Sequence, residues 1–190
     1  MNSSTTTTDT RAFADKTTIE ETVAAVTAER SLGEVTFTMN SQSTGGVSAL
    51  ARTGGMVQAG TVDESREGKF SAITDEPVAL MGTDTGISPA EYILTGLAAC
   101  YTVTLASLAT MRGITLDSVQ LRLGFDIDLS GFLGIDKSVR RGASGITVEV
   151  DIDSPDADRA QLEELISELE ATSPIRDTIA NPVPVATTLA

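Results

Sequence analysis

Cys100 is the one thiol in a chain of 190 residues that has no histidine. Ser-His-Asp triads, Cys-His pairs, zinc fingers and HExxH sites are therefore excluded within one chain, and no metal or cofactor is expected. Carboxylates, hydroxyls, Arg, Lys and this thiol are what remains for chemistry. Cys100 lies in Leu97-Ala98-Ala99-Cys100-Tyr101-Thr102, an apolar context that admits two readings. A free cysteine packs well as a small apolar group. A reactive thiolate needs a nearby cation, and a position in mid-helix receives little of the N-terminal dipole.

Glu91 also has two readings. In Ser88-Pro89-Ala90-Glu91 the serine is an N-cap, the proline takes the first helical position and the glutamate can reach back to the cap. Alternatively Glu91 is a carboxylate serving the thiol from the same helix. Nine residues at ~1.5 Å rise place it roughly 13 Å from Cys100 along the axis, so an intervening group would be required. Lys137, Arg140 and Arg141 form the basic cluster of the chain, either solvated charge or a means of steering an anionic ligand or an acidic partner subunit.

The elements that must position these groups follow from periodicity. A helix is expected at about 17–30, opened by a Thr/Glu capping box, with Ile19, Val23 and Val26 on one face. Val35, Phe37 and Met39 then alternate like a half-buried strand, and residues 41–86 suggest antiparallel hairpins. From Ser88 a helix should run to Arg112 and stop at Gly113. Its 20 uncharged residues, Tyr92 to Met111, are long enough to span a bilayer. Six small or hydroxylated residues and the strand-rich flanks favour instead a central helix covered all round by a sheet and a partner subunit. Val119 to Leu129 and Ile146 to Ile152 alternate as two long strands, and Ser154-Pro155 is expected to open a last amphipathic helix ahead of a short tail. The order is that of an α+β sandwich in one domain, residues 15–190, behind a Ser/Thr-rich, disordered segment 1–14.

The formal charge of −14 repels polyanions, so nucleic acid is not an expected partner. Ten Arg against three Lys, with acids spread along the chain, suggests adaptation to high salt. A lone cysteine suits a reducing compartment, and the N-terminal segment lacks the apolar core of a secretory signal. The expected location is the cytoplasm.

The run Gly86-Ile87-Ser88-Pro89-Ala90-Glu91-Tyr92-Ile93-Leu94-Thr95-Gly96-Leu97-Ala98-Ala99-Cys100 resembles the helix entry and cysteine motif of the OsmC/Ohr family, the osmotically inducible and organic hydroperoxide resistance proteins. Gly124-Phe125-Asp126-Ile127-Asp128-Leu129, Ser173-Pro174-Ile175-Arg176-Asp177 and Asn181-Pro182-Val183 agree with it. The resemblance implies an intertwined homodimer of curved antiparallel sheets around long central helices, with sites at the subunit interface. It implies a thiolate that attacks a hydroperoxide, a second cysteine that resolves the sulfenic acid, and a dithiol reductant. Cys100 matches the attacking position. Arg52 is the nearest match to the thiolate-pairing arginine, with Glu91 orienting it.

Two departures qualify the resemblance. The resolving cysteine, which stands before a proline, is replaced here by Ser173 before Pro174, and the glutamate that directly follows the helix-start proline is shifted one place, to Glu91. The two-cysteine mechanism is thereby excluded. What remains is a one-cysteine hydroperoxide reductase using an external thiol, or a non-catalytic dimeric protein that binds a small hydrophobic ligand. No membrane partner is expected in either case.

Overall fold

A computed structural model describes residues 12–189. Most of the segment expected to be disordered, residues 1–11, lies outside the described residues. The chain is a mixed α+β structure with antiparallel sheets, and its described residues divide into two units, residues 17–93 and residues 94–189 with 12–16.

In the unit 17–93, helix α1 (Lys16–Ala28, beginning one residue earlier) leads to strands β1 (Val35–Gly45), β2 (Ser48–Gln58), β3 (Thr61–Asp63) and β4 (Ser71–Thr74). β1 lies antiparallel along one edge of β2, with Asn40 opposite Arg52. The other edge of β2 is shared, Met56–Gln58 pairing with β3 and Ala49–Arg52 with β4. The hairpins expected over residues 41–86 are thus built around one long strand, β2. β1 also differs from the half-buried expectation, since all of it is exposed in this chain, Phe37 to 73%. The alternation of Val35, Phe37 and Met39 is present, but without burial on either face.

The segment between β4 and the next helix is organised by one carboxylate. Asp75 accepts hydrogen bonds from the backbone N–H groups of Glu76, Thr83 and Thr85 and from the hydroxyls of Thr83 and Thr85. The two hydroxyls lead in holding its carboxyl well below the usual carboxylate range. A carboxylate with a depressed folded pKa contributes stability above its unfolded value and loses it as pH falls toward the folded one. Asp75→Asn should therefore lower the urea midpoint at pH 7. The gap from wild type should narrow as pH falls below about 4, the unfolded Asp value; a constant gap would exclude this ionic contribution.

The second unit contains most of α2 (Pro89–Arg112), β5 (Ser118–Asp126), α3 (Leu129–Phe132), β6 (Gly145–Asp153), α4 (Arg159–Thr172) and α5 (Pro174–Ala180). α2 has the expected bounds. Gly113 ends it at φ 70°, the left-handed region, and Ile114 N–H bonds back to the Ala109 carbonyl. β5 and β6 pair antiparallel from Ser118 opposite Asp153 to Asp126 opposite Gly145. Their inward residues pack with Leu97, Tyr101, Leu105 and Ala109 of α2 and with Leu165 and Leu169 of α4.

Two boundaries differ from the sequence reading, each because a short polar side chain found a local partner. β5 ends before Ile127 and Leu129, because Asp128 accepts from Ser130 N–H and caps α3. α4 opens at Asp158 in a reciprocal capping box with Gln161, not at Ser154-Pro155. In the intervening turn Asp156 holds the N–H and hydroxyl of Thr115, at the start of the strand hairpin. The tail also contains a helix, α5, that was not anticipated.

α2 is long and apolar enough to cross a membrane, the one such helix among the described residues. It is not covered all round within the chain. Five residues on one face are buried, while Val103 is 66% exposed and Ile93 and Met111 more than 40%.

Candidate functional site

Cys100 is half-buried on α2, facing the junction between α4 and α5. Ser173 forms that junction. Its N–H caps the Leu169 carbonyl at the end of α4, and its Oγ accepts the Arg176 N–H at 3.4 Å as the N-cap of α5. The same Oγ lies 3.3 Å from Cys100 Sγ. A hydroxyl has one hydrogen and two acceptor positions, so with Arg176 N–H accepted its own hydrogen can point at the sulfur. For a thiolate this is the only polarity available, since the sulfur then has no hydrogen to donate. Ser173 is 2% exposed, so the two atoms meet where water competes little. A position read from sequence as a lost resolving cysteine is thus in direct contact with the candidate nucleophile.

Glu91 sits in the first turn of α2. Its Oε2 accepts Ser88 N–H at 2.7 Å and its own N–H donates to Ser88 Oγ, the reciprocal capping box expected from the spacing. The bond from the Ser88 backbone is the main cause of its lowered carboxyl pKa. Arg52 projects from β2 as an exposed residue opposite Ser71 of β4. Within the unit that contains Cys100, the structure brings the thiol together with Ser173.

Next to Cys100 on α2, Tyr101 is 5% exposed. Burial pushes its phenol pKa up, with Arg176 pulling the opposite way, so the hydroxyl is protonated at neutral pH. It lines a cavity of about 430 Å³ between α2, β6, α4 and α5 that also includes Arg140, Arg176 and Glu170. Arg176 had been noted only as part of the Ser173–Asp177 motif, and nothing local in the sequence indicated that Arg140 would join it.

Residues 82–188 match the sequence model of the OsmC-like protein family. Among curated proteins none matches. The structure resembles an OsmC-like protein from Mycoplasma pneumoniae, with TM-score 0.59 and 18% identity over 77% of this chain and 89% of that one. It also resembles an organic hydroperoxide resistance protein OsmC from Legionella pneumophila, with TM-score 0.54 and 16% identity over 76% and 88%. For the organic hydroperoxide resistance protein OhrB of Bacillus subtilis the TM-score is 0.50, with 19% identity over 77% and 92%. At these identities the structural likeness carries the fold alone. The sequence match extends from the turn before α2 past the end of α5, over more than half of the chain, and by it this chain belongs to the OsmC-like protein family.

Proposed function

We propose that this protein is a one-cysteine hydroperoxide reductase of oxidative stress defence, acting as a cytoplasmic homodimer. The observation that supports it is the Cys100–Ser173 contact, which pairs a nucleophile with a hydroxyl able to donate to its thiolate. Cys100 thiolate attacks the terminal oxygen of an organic hydroperoxide. An S–O bond forms, the O–O bond breaks, and the alkoxide leaves as the alcohol after taking a proton, with Cys100 left as sulfenic acid. An external thiol then condenses with the sulfenic acid, releasing water, and a second thiol reduces the mixed disulfide. Arg52, as in the family resemblance, holds the thiolate, and Glu91 orients that arginine.

The test is the rate of Cys100 sulfenic acid formation in the folded protein, read by mass spectrometry after trapping with a 1,3-dione. An alkyl hydroperoxide should react faster than hydrogen peroxide, and excess should drive Cys100 to the sulfinic state. Cys100 left unmodified in the folded protein, while the unfolded chain reacts readily, overturns the reading. That result would favour the second one, a non-catalytic dimer for a small hydrophobic ligand, for which the cavity beside Tyr101 is the supporting observation.

A further inference from the structure

We propose that the cavity between α2, β6, α4 and α5 is a binding site for a small amphipathic anion, an alkyl chain ending in a carboxylate. Its walls are aliphatic: Leu97 from α2, Ile146, Val148 and Val150 from β6, Ile166 and Leu169 from α4. Its volume, about 430 Å³, is within the range of small-molecule sites, which combine apolar walls with a few convergent polar groups.

The polar groups here are chemically selective. Arg140 and Arg176 both line the cavity, against one carboxylate, Glu170. In a chain with a net charge of −14 this is a local reversal of sign. Arg176 is only loosely engaged by that carboxylate, at 3.9 Å, its firm bond being from Nη1 to the Glu170 backbone carbonyl at 3.0 Å. A guanidinium has five N–H donors, so donors remain beyond these and its hydrogen bond to the Tyr101 hydroxyl. Arg140 forms no ion pair among the described residues. With the protonated Tyr101 hydroxyl, the cavity presents three donor side chains and a long apolar surface. A carboxylate can accept from two guanidinium forks, and an attached alkyl chain would occupy the aliphatic walls.

The loop bearing Arg140 is held in place by the fold. Gly131, in α3, is buried, and a Cβ there would lie 2.4 Å from the Arg140 carbonyl oxygen and 2.8 Å from that of Val139. Glycine is what allows this loop to approach so closely. At its other end Ser144 N–H bonds to the Asp126 carbonyl at 2.8 Å, where β6 begins. The backbone of this loop is therefore held from both sides, and the Arg140 side chain, solvent-exposed as expected of loop charge, stands at the mouth of the cavity. Cys100 does not line the cavity, so the site stands independently of any thiol chemistry.

The test is calorimetric titration of the full chain with decanoate and, as the uncharged isostere, 1-decanol, with the amide resonances of Tyr101 and Arg140 followed by NMR. Decanoate should bind once per chain, move both resonances, and bind about tenfold more tightly than decanol, the scale of one charge-assisted hydrogen bond. Arg140→Ala, an exposed change that leaves the core intact, should weaken decanoate roughly fivefold to tenfold and leave decanol unchanged. Arg176→Lys, which keeps the charge and loses the fork, should have a smaller effect on decanoate alone. Equal affinity for the two ligands, indifference to Arg140→Ala, or binding that leaves the two resonances unmoved would each overturn the proposal.

Discussion

In the Ser173→Cys variant, one equivalent of alkyl hydroperoxide should close an intramolecular disulfide between Cys100 and the new thiol, whereas the natural chain should accumulate a sulfenic acid. The two side-chain atoms already lie 3.3 Å apart, and a disulfide is about 2.05 Å long, so little more than ~1 Å of closure is needed. Ser173 is fixed at both sides as the C-cap of α4 and the N-cap of α5. The incoming sulfur should therefore be presented to Cys100 from the outset. The readout is intact mass, a loss of two hydrogens for the variant against a gain of one oxygen for the natural protein. The change is all-or-none, and it should be accompanied by protection of the variant from the sulfinic state, since condensation with a neighbouring thiol removes the sulfenic acid. A variant that gains oxygen as the natural protein does would show that Cys100 and residue 173 do not meet in the reacting protein.

The second large effect is expected at Val103. α2 buries Leu105 completely within the chain, yet leaves Val103, two residues away, 66% exposed. With the uncovered β1 this leaves apolar surface for which the proposed dimer is the natural cover. In sedimentation at about 1 M salt, where the Debye length is about 3 Å and the acidic surfaces no longer repel one another at distance, the protein should be a dimer. Burying a valine fully is worth about 1.5–3 kcal/mol, and a two-fold interface contains each residue twice. Val103→Asp should thus weaken association by at least about a hundredfold. Leu105→Ala provides the contrast: a cost of about 2–5 kcal/mol in folding stability from the cavity it leaves, with the dimer intact at protein concentrations where the chain is folded. A natural protein that sediments as a monomer would remove the dimer. A Val103→Asp protein that remains dimeric would move the interface away from this face of α2.

The elements were legible wherever their determinants are neighbours in the chain. The Ser88–Glu91 capping box, the stop at Gly113 and the alternation in β5 and β6 depend on hydrogen bonds and side-chain periods a few residues long, so the helix from Pro89 to Arg112 could be read to its last residue. The same locality explains the misread boundaries. Ser154 and Asp158 are both competent N-caps, but the reciprocal bond with Gln161 is made by Asp158, while Asp156 in the turn between them binds Thr115 across 41 residues. For β1 the alternation was correctly read but not its burial, because a strand's inner face is defined by whatever packs against it.

The sequence by itself determined the chemistry available: one thiol, no histidine, a serine before Pro174, and a family motif around Cys100. The tertiary structure decided which groups meet. Cys100 and Ser173 are 73 residues apart and touch only because α4 packs across α2 through Leu165 and Leu169. Arg140 and Arg176 share a cavity only because Gly131 lets a loop close against α3 while α5 turns back from Ser173. Such contacts have no local signature, since each depends on shape complementarity between faces whose partners are set by the packing of the whole core.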